Sequence, residues 1–335
     1  MAGNKQRDEN YQSFLENLHD KLNTPDIVLE KVVKSAVGYG VKEKRKVVEG
    51  EVNEVYDIIP THGDNIIVRI SREKHNRFEA EKWALDNCRD VGIPVPQIHL
   101  ISEVETDKEK LHVCVESKIG GDSLQTLIKQ NTLSQNEIKK LTVTAGEILS
   151  KIHSIKTKGF GEINSLGVGE FKTWSEYMLN QDKKRELVLE EARKIGVDTK
   201  LIQQAFAILA KNKDIYKHTE SRLAHSDYGI KHMLVNNGKL NGIIDFENCR
   251  GADIAYDFSW WNYFGQNRPP VEWLIEGYVK NGNLGENFDT RMHLVKIEIA
   301  LRLLIIYGEV GHSFAKDITT KNLANDVTFL NNLRS

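Results

Sequence analysis

The stretch Leu223–Cys249, LAHSDYGIKHMLVNNGKLNGIIDFENC, holds the polar residues with the strongest chemical signal in the chain. Two apolar runs in it flank the triplet NNG, which is a strong hairpin signal. Because a hairpin returns the chain on itself, Asp245 is predicted to lie close to the loop that holds Asp227 and His232. Three possible oxygen or nitrogen ligands would then converge. The alternative is that Asp227 is an ordinary turn residue and Asp245 a cap.

Length and composition point to a soluble protein of two domains or lobes. The chain has 335 residues, with 46 Lys and Arg against 48 Asp and Glu, and its net charge of -2 favours neither nucleic acid nor an anionic membrane. Its three cysteines lack CxxC spacing, which argues against a disulfide framework and a cysteine zinc site. The most apolar run, 299–307, is shorter than the roughly 20 residues of a membrane span, and the N-terminal residues lack a signal-peptide pattern. We expect a cytoplasmic protein and favour a monomer.

The order of patterns predicts an α+β protein in two parts. After a helical pattern at 10–35, three β-branched runs (KRKVVEG, EVNEVYDII and NIIVRIS) predict an antiparallel meander. A helix at 73–91 and two strands, in GIPVPQIHLIS and KLHVCVESK, follow. From IGGDSL onward the patterns are mostly helical, with long helices predicted at 134–156, 198–212 and 286–308. We therefore predict a sheet lobe at 1–118 and a larger helical lobe at 119–335.

Several motifs together resemble the aminoglycoside phosphotransferase family, whose fold is protein-kinase-like. HSDYGIKH followed by IIDFE resembles the catalytic loop and metal-binding aspartate of that family, and GADIAYDFSWW resembles its Gly-Asp-Pro-Ala-Tyr-Asp segment. Upstream, LSKIHSIKTKGFG is similar to its hygromycin B and macrolide branches. The resemblance covers about residues 45–265 in the expected order. It implies a small antiparallel-sheet lobe that binds nucleotide and a larger helical lobe that carries catalysis and binds the acceptor.

By this resemblance, Asp227 is the catalytic base or orients the acceptor hydroxyl, Asp245 is a magnesium ligand, and His225 supports the loop. One position departs from the family pattern, because His232 stands where most members place a metal-binding Asn. Magnesium prefers oxygen ligands over imidazole. His232 is therefore expected either to serve as a ligand, as in the macrolide phosphotransferases it resembles, or to mark a site that has lost a ligand.

A kinase-like site also needs a cation for the nucleotide phosphates and an acid that positions this cation. Arg69 in NIIVRIS occupies the place of the strand lysine by resemblance. Helical spacing places Glu81 on one face with Phe78, Leu85 and Cys88, so that an acid lies within an apolar stripe. Because a buried carboxylate needs a partner, we predict that Glu81 pairs with Arg69.

Two further stretches are expected to contact the nucleotide. EGEVNEVYDI lies where the phosphate-covering loop of the family is expected, with Gly50 and Asn53 at a turn between strands. VCVESKIGGD resembles the hinge between the lobes, which implies that main-chain groups of Glu116, Ser117 and Lys118 meet the adenine or guanine base.

Other residues near these motifs are interpreted structurally. Lys231 is expected to be a solvated loop residue, and Asp253 and Asp257 are expected to cap and brace the loop. The aromatic cluster 260–264 is expected to lie in the core rather than in the acceptor pocket.

These residues predict a magnesium-dependent enzyme that moves the γ-phosphoryl group of ATP or GTP to a hydroxyl of a small molecule. An aminoglycoside or aminocyclitol such as hygromycin B is the first expected acceptor, and a macrolide is the second, because of His232. The alternatives are a choline-like or other metabolic alcohol and a catalytically silent nucleotide-binding scaffold. Little sequence separates Asp245 from the next helix, which disfavours the peptide-binding platform of a protein kinase.

Overall fold

The computed structural model describes residues 15–17, 19–48, 53–73, 75–107, 109–265, 268–310 and 314–333. Gly50, a predicted phosphate-loop residue, lies outside this part of the chain. Within it, no helix is both long enough and apolar enough to cross a membrane.

The first lobe is built on a five-stranded antiparallel sheet. Its strands follow the order β1-β2-β3-β5-β4. They are β1 Val41–Val47, β2 Glu54–Pro60, β3 Ile66–Ser71, β4 Ile98–Glu105 and β5 Lys110–Ser117, with helix α1 at Asp26–Val37 before them and helix α2 at Phe78–Asp90 after β3. The predicted order of three strands, a helix and two strands is confirmed.

Strand alternation decides which side chains of β3 face which helix. Ile66, Val68 and Ile70 pack in one cluster with the apolar residues of α1. Arg69 lies on the opposite face of the same strand, because successive side chains of a strand point to opposite sides. This is the side on which α2 packs. The alternation thus directs the guanidinium of Arg69 toward α2.

The second lobe is mostly helical. Its helices are α3 Leu124–Lys129, α4 Gln135–Ile152, α5 Trp174–Met178, α6 Arg185–Ile195, α7 Thr199–Lys211, α8 Lys213–Tyr216, α9 Ala255–Tyr263, α10 Val271–Tyr278, α11 Phe288–Val310 and α12 Phe314–Asn332. The three long helices predicted from the sequence correspond to α4, α7 and α11. Helices α4 and α10 touch backbone to backbone, since a Cβ atom on Gly277 would lie only 1.8 Å from the carbonyl oxygen of Val143.

Two small sheets are embedded in this lobe. The first has the order β11-β10-β6, from Lys239–Ile243, Met233–Asn236 and Asp122–Ser123. The predicted hairpin is β10–β11, and its turn residues Asn237 and Gly238 both have positive φ, 49° and 71°.

The second small sheet holds both ends of the segment 225–249. Its strands, in the order β8-β7-β12-β9, are Gly169–Phe171, Phe160–Ile163, Arg250–Ala252 and Arg222–Ala224. Strand β9 leads into Asp227, β12 follows Asp245, and the two strands pair at Arg250 and Ala224. The pairing fixes the two ends of the segment 225–249 relative to each other.

We propose that the boundary between the lobes lies at 118 and 119. Strand β5 of the first sheet ends at Ser117. The next strand, β6, begins at Asp122 and already pairs with β10 of the second lobe. The chain therefore leaves one lobe and joins the other within a few residues.

A buried acid holds the segment before α1 against the first sheet. The Glu54 carboxylate accepts hydrogen bonds from Thr24 N (3.1 Å), Thr24 Oγ1 (2.7 Å) and Tyr56 OH (2.6 Å), and it pairs with Arg72 Nη1 (3.0 Å). Burial alone raises the pKa of Glu54, but the hydrogen bonds from Tyr56, Thr24 and Arg72 outweigh this and lower the pKa from 4.5 to about 2.

The Glu54→Gln variant is expected to lose up to about 3 kcal/mol of unfolding free energy at pH 7, which corresponds to the difference between the two pKa values. Because the pKa is lower in the folded chain, this stabilisation is present above pH 4.5 and is lost as the pH falls toward 2. Urea unfolding at several pH values should show the difference from the native chain shrinking over that interval. A difference that stays constant with pH would contradict the assignment, and Glu43→Gln, on the exposed part of β1, is the matched control.

Candidate active site

The loop between β9 and β10 is held in place by a buried carboxylate on α9. Asp257 accepts hydrogen bonds from the backbone N–H groups of His225 (3.0 Å) and Ser226 (2.7 Å). The ring of His153, at the end of α4, lies 2.9 Å from the same carboxylate. The expectation that Asp257 braces this loop is confirmed. Asp253 also has a structural role, since its Oδ1 pairs with Arg291 Nη1 (2.6 Å).

Two more contacts fix the position of the loop on the second lobe. The hydroxyl of Tyr228 donates to the carbonyl of Ala145 on α4 (2.8 Å), and His225 Nε2 lies 3.0 Å from the carbonyl oxygen of Ile244. Burial lowers the pKa of His225, so its ring is a neutral support within the loop. This agrees with the supporting role that the sequence predicts for His225.

Ser226 and Asp245 both adopt the left-handed backbone region, with φ of 69° at each. Such a conformation costs a side-chain-bearing residue of order 1 kcal/mol or more, and it persists where the surrounding structure fixes it. The two strained positions lie directly before Asp227 and at Asp245 itself. The backbone is therefore held in an unfavourable conformation at the two predicted functional carboxylates.

The predicted convergence of Asp227, His232 and Asp245 is present in the structure. His232 Nε2 lies 3.1 Å from Asp227 Oδ2, and His232 Nδ1 lies 3.2 Å from Asp245 Oδ2. One ligand atom of each residue lies within 4.8 Å of the other two. The imidazole is buried, but it faces both aspartates instead of turning into the core.

Both aspartates are held in the ionised form. Burial raises the pKa of Asp227, but the hydrogen bond and charge of His232 and the charge of Lys231 bring it far below its ordinary value. Burial likewise opposes ionisation of Asp245, but attraction to His232 and Arg69 lowers its pKa. The site thus presents two fixed negative charges.

Asp227 has two further partners that the sequence did not reveal. The indole Nε1 of Trp260 donates to Asp227 Oδ1 (2.8 Å), and Lys231 Nζ lies 2.9 Å from Asp227 Oδ2. The Lys231 side chain is half exposed, so the predicted solvated residue also pairs with the catalytic aspartate.

An open cavity of about 270 Å³ lies directly against Asp227. It is lined by Gln125, Asp227, Ile230, Lys231, Trp260, Phe264 and Arg268. The expectation of an aromatic core holds for Trp261 and Tyr263, which are buried. Trp260 and Phe264 are only partly buried and form one wall of the cavity.

On the other side of the site, the predicted pair of Arg69 and Glu81 is formed. Arg69 Nη1 lies 2.8 Å from both carboxylate oxygens of Glu81, and both side chains are buried. Glu81 also accepts a hydrogen bond from the backbone N–H of Phe246 (3.1 Å), the residue after Asp245. The pair therefore connects α2 of the first lobe to the segment after Asp245 in the second, where the sequence predicts a metal ligand.

Two more acids surround Arg69. Glu247 Oε2 lies 2.9 Å from Arg69 Nη2, and Glu116 Oε2 lies 3.7 Å from Nη1. Burial lowers the pKa of Arg69, but attraction to Glu81 and then Glu116 outweighs burial and raises the pKa well above its ordinary value. Burial raises the pKa of Glu116 against the opposing effect of Arg69.

Sequence reasoning missed Glu247, although it stands two residues after Asp245 within the quoted IIDFE. The predicted loop residue Asn53 is buried, and its Nδ2 donates to Glu247 Oε2 (2.7 Å). Within the described residues, Asn53 Oδ1 and Glu116 Oε2 are buried acceptors without a hydrogen-bond donor. Acceptors of this kind, beside a surplus of carboxylates, suit a site that receives a metal ion.

Two backbone N–H groups of the predicted hinge form hydrogen bonds within the first lobe. Ser117 N donates to the carbonyl of Gln97 (2.9 Å), and Lys118 N donates to the carbonyl of Asn65 (3.1 Å). These two N–H groups are thus used inside the protein. The contact of main-chain groups of Glu116, Ser117 and Lys118 with the base stays a prediction. The Glu116 side chain, expected to contribute little, belongs to the cluster around Arg69.

The fold and this set of side chains define a kinase-like transfer site between two lobes. Residues 45–281 match the phosphotransferase enzyme family, and the chain belongs to that family. Hygromycin-B 4-O-kinase of Escherichia coli is 20% identical to it over 220 residues, a match that covers 65% of this chain and 61% of that kinase.

Solved structures share the same fold. A thermostable mutant of aminoglycoside phosphotransferase APH(4)-Ia, in a ternary complex with AMP-PNP and hygromycin B, matches with a TM-score of 0.73 and 18% identity over 90% of this chain and 98% of that chain. The macrolide 2′-phosphotransferase MphH from Brachybacterium faecium matches with a TM-score of 0.55 and 13% identity over 88% of this chain and 97% of its own. The predicted two-lobed, protein-kinase-like fold is confirmed.

The Asp257→Asn variant is expected to lose about 2 kcal/mol of unfolding free energy, because the new amide turns an N–H group toward buried donors of the loop. Urea denaturation measures the loss. Asp214→Asn is the matched control, since Asp214 is exposed and pairs with Lys217 at the surface, and its effect on the unfolding free energy should be much smaller. Equal effects of the two substitutions would show that Asp257 does not hold the loop.

Proposed function

We propose that this protein is an O-phosphotransferase that moves the γ-phosphoryl group of ATP or GTP to a hydroxyl of a small molecule. The observation that carries the proposal is the arrangement of Asp227, His232 and Asp245 around one point, opposite the buried pair of Arg69 and Glu81. Phosphoryl transfer requires this combination: a carboxylate at the acceptor, ligands for magnesium, and a cation at the phosphates.

Asp227 is proposed to orient the acceptor hydroxyl. Its oxygens are held from both sides, by Trp260 at Oδ1 and by His232 and Lys231 at Oδ2. Because its pKa lies far below the ordinary value, Asp227 is a weak base. It accepts the hydrogen bond of the hydroxyl first and takes the proton late, as the loose transition state of phosphoryl transfer allows.

His232 and Asp245 are proposed to hold Mg²⁺. The ionised Asp245 and the spacing of the ligand atoms support this assignment. An imidazole that binds a metal ion is neutral and carries hydrogen on only one nitrogen, so in the metal-bound form only one of the two contacts of His232 with aspartate can be a donated hydrogen bond. The other ring nitrogen then has a lone pair to offer. When bound, the metal ion neutralises charge on the nucleotide phosphates.

Arg69 is proposed to bind the phosphates, with Glu81 and Glu247 fixing its guanidinium. Gly50 and Asn53 are proposed to lie near the phosphates, and the carbonyls of Glu116, Ser117 and Lys118 near the base. The supporting observations are the buried ion pairs of Arg69 and the contact between Asn53 and Glu247.

The relatives suggest the first acceptors to test. Hygromycin-B 4-O-kinase and the APH(4)-Ia complex with hygromycin B favour an aminoglycoside or aminocyclitol. His232 and the likeness to a macrolide 2′-phosphotransferase place a macrolide second. A metabolic alcohol and a catalytically silent scaffold are the alternatives. We further propose a cytoplasmic monomer that binds neither nucleic acid nor membrane, in keeping with its net charge of -2.

Phosphoryl transfer is tested with labelled ATP and GTP against a panel of aminoglycosides, macrolides and small alcohols. The Asp227→Asn variant should lose at least about 10³-fold in kcat, because the acceptor hydroxyl loses its ionised partner. Nucleotide affinity should remain, since Arg69 and its partners are untouched. No transfer to any acceptor, together with nucleotide binding that is independent of magnesium, would overturn the proposed enzyme in favour of the silent scaffold.

Magnesium titration distinguishes the two interpretations of His232. If the ring is a ligand, His232→Ala should raise the magnesium concentration for half-maximal activity by about tenfold or more, and His232→Asn, which restores an oxygen ligand, should reverse much of this. The control is His99→Ala on the exposed side of β4. An unchanged magnesium dependence in His232→Ala would show that the ring bridges the two aspartates and does not bind the metal ion.

A further inference from the structure

Arg268 lines the cavity beside Asp227, and part of its guanidinium has no hydrogen-bond partner among the described residues. Its Nη1 donates to the carbonyls of Tyr228 (3.1 Å) and Trp260 (3.3 Å). Among the described residues, no carboxylate lies within 4.0 Å of its guanidinium, and neither Nε nor Nη2 has a hydrogen-bond partner. These donors belong to a residue that borders the cavity.

Arg268 is partly buried, and its surroundings disfavour the charge of the guanidinium. Burial lowers the pKa of Arg268 to about 10, and only the more distant charge of Asp227 acts in the other direction. Arg268 is still a cation near neutral pH. A cation that is partly removed from water is stabilised by a paired anion, and the planar guanidinium matches a carboxylate through two parallel hydrogen bonds.

The other lining residues give the cavity a definite character. Lys231 adds a second cation, whereas the single carboxylate of the lining, Asp227, is already held by Lys231, His232 and Trp260. Ile230, Trp260 and Phe264 supply an apolar and aromatic surface. Such a lining suits a ligand with a flat or apolar part and a negative group, and it repels a ligand that carries several ammonium groups.

A purely structural role for Arg268 accounts for only part of this geometry. The side chain packs on the catalytic loop so closely that a Cβ on Gly229 would lie 2.9 Å from Nη2. The bonds of Nη1 to two carbonyls brace the loop and α9. The guanidinium also lies over the rings of Trp261 (5.6 Å) and Phe264 (5.4 Å). These contacts leave Nε and Nη2 without a hydrogen-bond partner among the described residues, so a structural role does not account for these two donors.

We propose that Arg268 is the anion-binding residue of the acceptor pocket, and that the acceptor is a hydroxyl compound bearing a carboxylate next to an apolar or aromatic part. The identity of the cavity as an acceptor pocket rests on the proposed function. Among the candidate acceptors, the proposal argues against polycationic aminoglycosides. It assigns the hydroxyl of the acceptor to Asp227 and its carboxylate to Arg268.

The test is a binding measurement on the full chain with three probes of one shape: benzoate, benzamide and benzylamine. Ligand-observed NMR or calorimetry gives each affinity with and without saturating ADP and magnesium. Benzoate should bind at least about tenfold more tightly than the neutral and cationic probes, in the presence of nucleotide as well as in its absence. Arg268→Met should remove this preference, Arg268→Lys should retain part of it, and Arg193→Met, on an exposed turn of α6, should leave it unchanged.

Three results would overturn the proposal: equal binding of benzoate and benzamide, displacement of benzoate by ADP, or benzoate binding that survives in Arg268→Met. Displacement by ADP would place the anion at Arg69. If Arg268→Met fails to fold, the probe series on the native chain and the Arg268→Lys variant still decide the question. The measurement needs no turnover, so benzoate binding in a chain that phosphorylates no acceptor would count against the proposed function and not against the binding site.

Discussion

The guanidinium of Arg69 joins the parts of the site that come from different regions of the chain. It lies on β3, and its partners come from α2 (Glu81), from β5 (Glu116) and from the segment after Asp245 (Glu247). A buried charge is costly unless it is paired. The arrangement of β3, α2, β5 and the segment after Asp245 is therefore stable only when all of them contribute their side chains to this cluster. Glu81 also accepts a hydrogen bond from the backbone N–H of Phe246. The cluster in the sheet lobe is thus also bonded to the segment after Asp245, which is proposed to bind the metal ion.

A second buried charge, the carboxylate of Asp257, holds the predicted catalytic loop in place. Asp257 receives two backbone N–H groups and a histidine ring, and in this way it fixes the residues that precede Asp227. The left-handed backbone at Ser226 and Asp245 is sustained against its conformational cost by this bracing and by the small sheet of β9 and β12. The two functional aspartates are therefore positioned by buried backbone contacts that do not depend on any ligand.

The parts of the site that the sequence predicted correctly depend on short-range geometry. The hairpin turn at 237–238 brings Asp245 back to Asp227, and two periodicities, of a strand and of a helix, bring Arg69 and Glu81 to the same face. Glu247, the bond of Trp260 to Asp227 and the unpaired Arg268 were missed because they depend on how distant elements pack. The engaged N–H groups of Ser117 and Lys118 were missed for a similar reason, since their acceptors lie in neighbouring parts of the sheet. The strands of the second small sheet are three or four residues long and too short for a recognisable alternation.

Trp260 has two neighbours of different kinds: its indole N–H holds Asp227, and its side chain forms part of the cavity wall. A molecule that fills the cavity presses on the same side chain that restrains the catalytic carboxylate. A single water molecule at Asp227 makes no such contact with the wall. If Asp227 orients the acceptor as proposed, the indole links the alignment of Asp227 to the presence of an acceptor that fills the cavity, and this link would limit the hydrolysis of nucleotide by water.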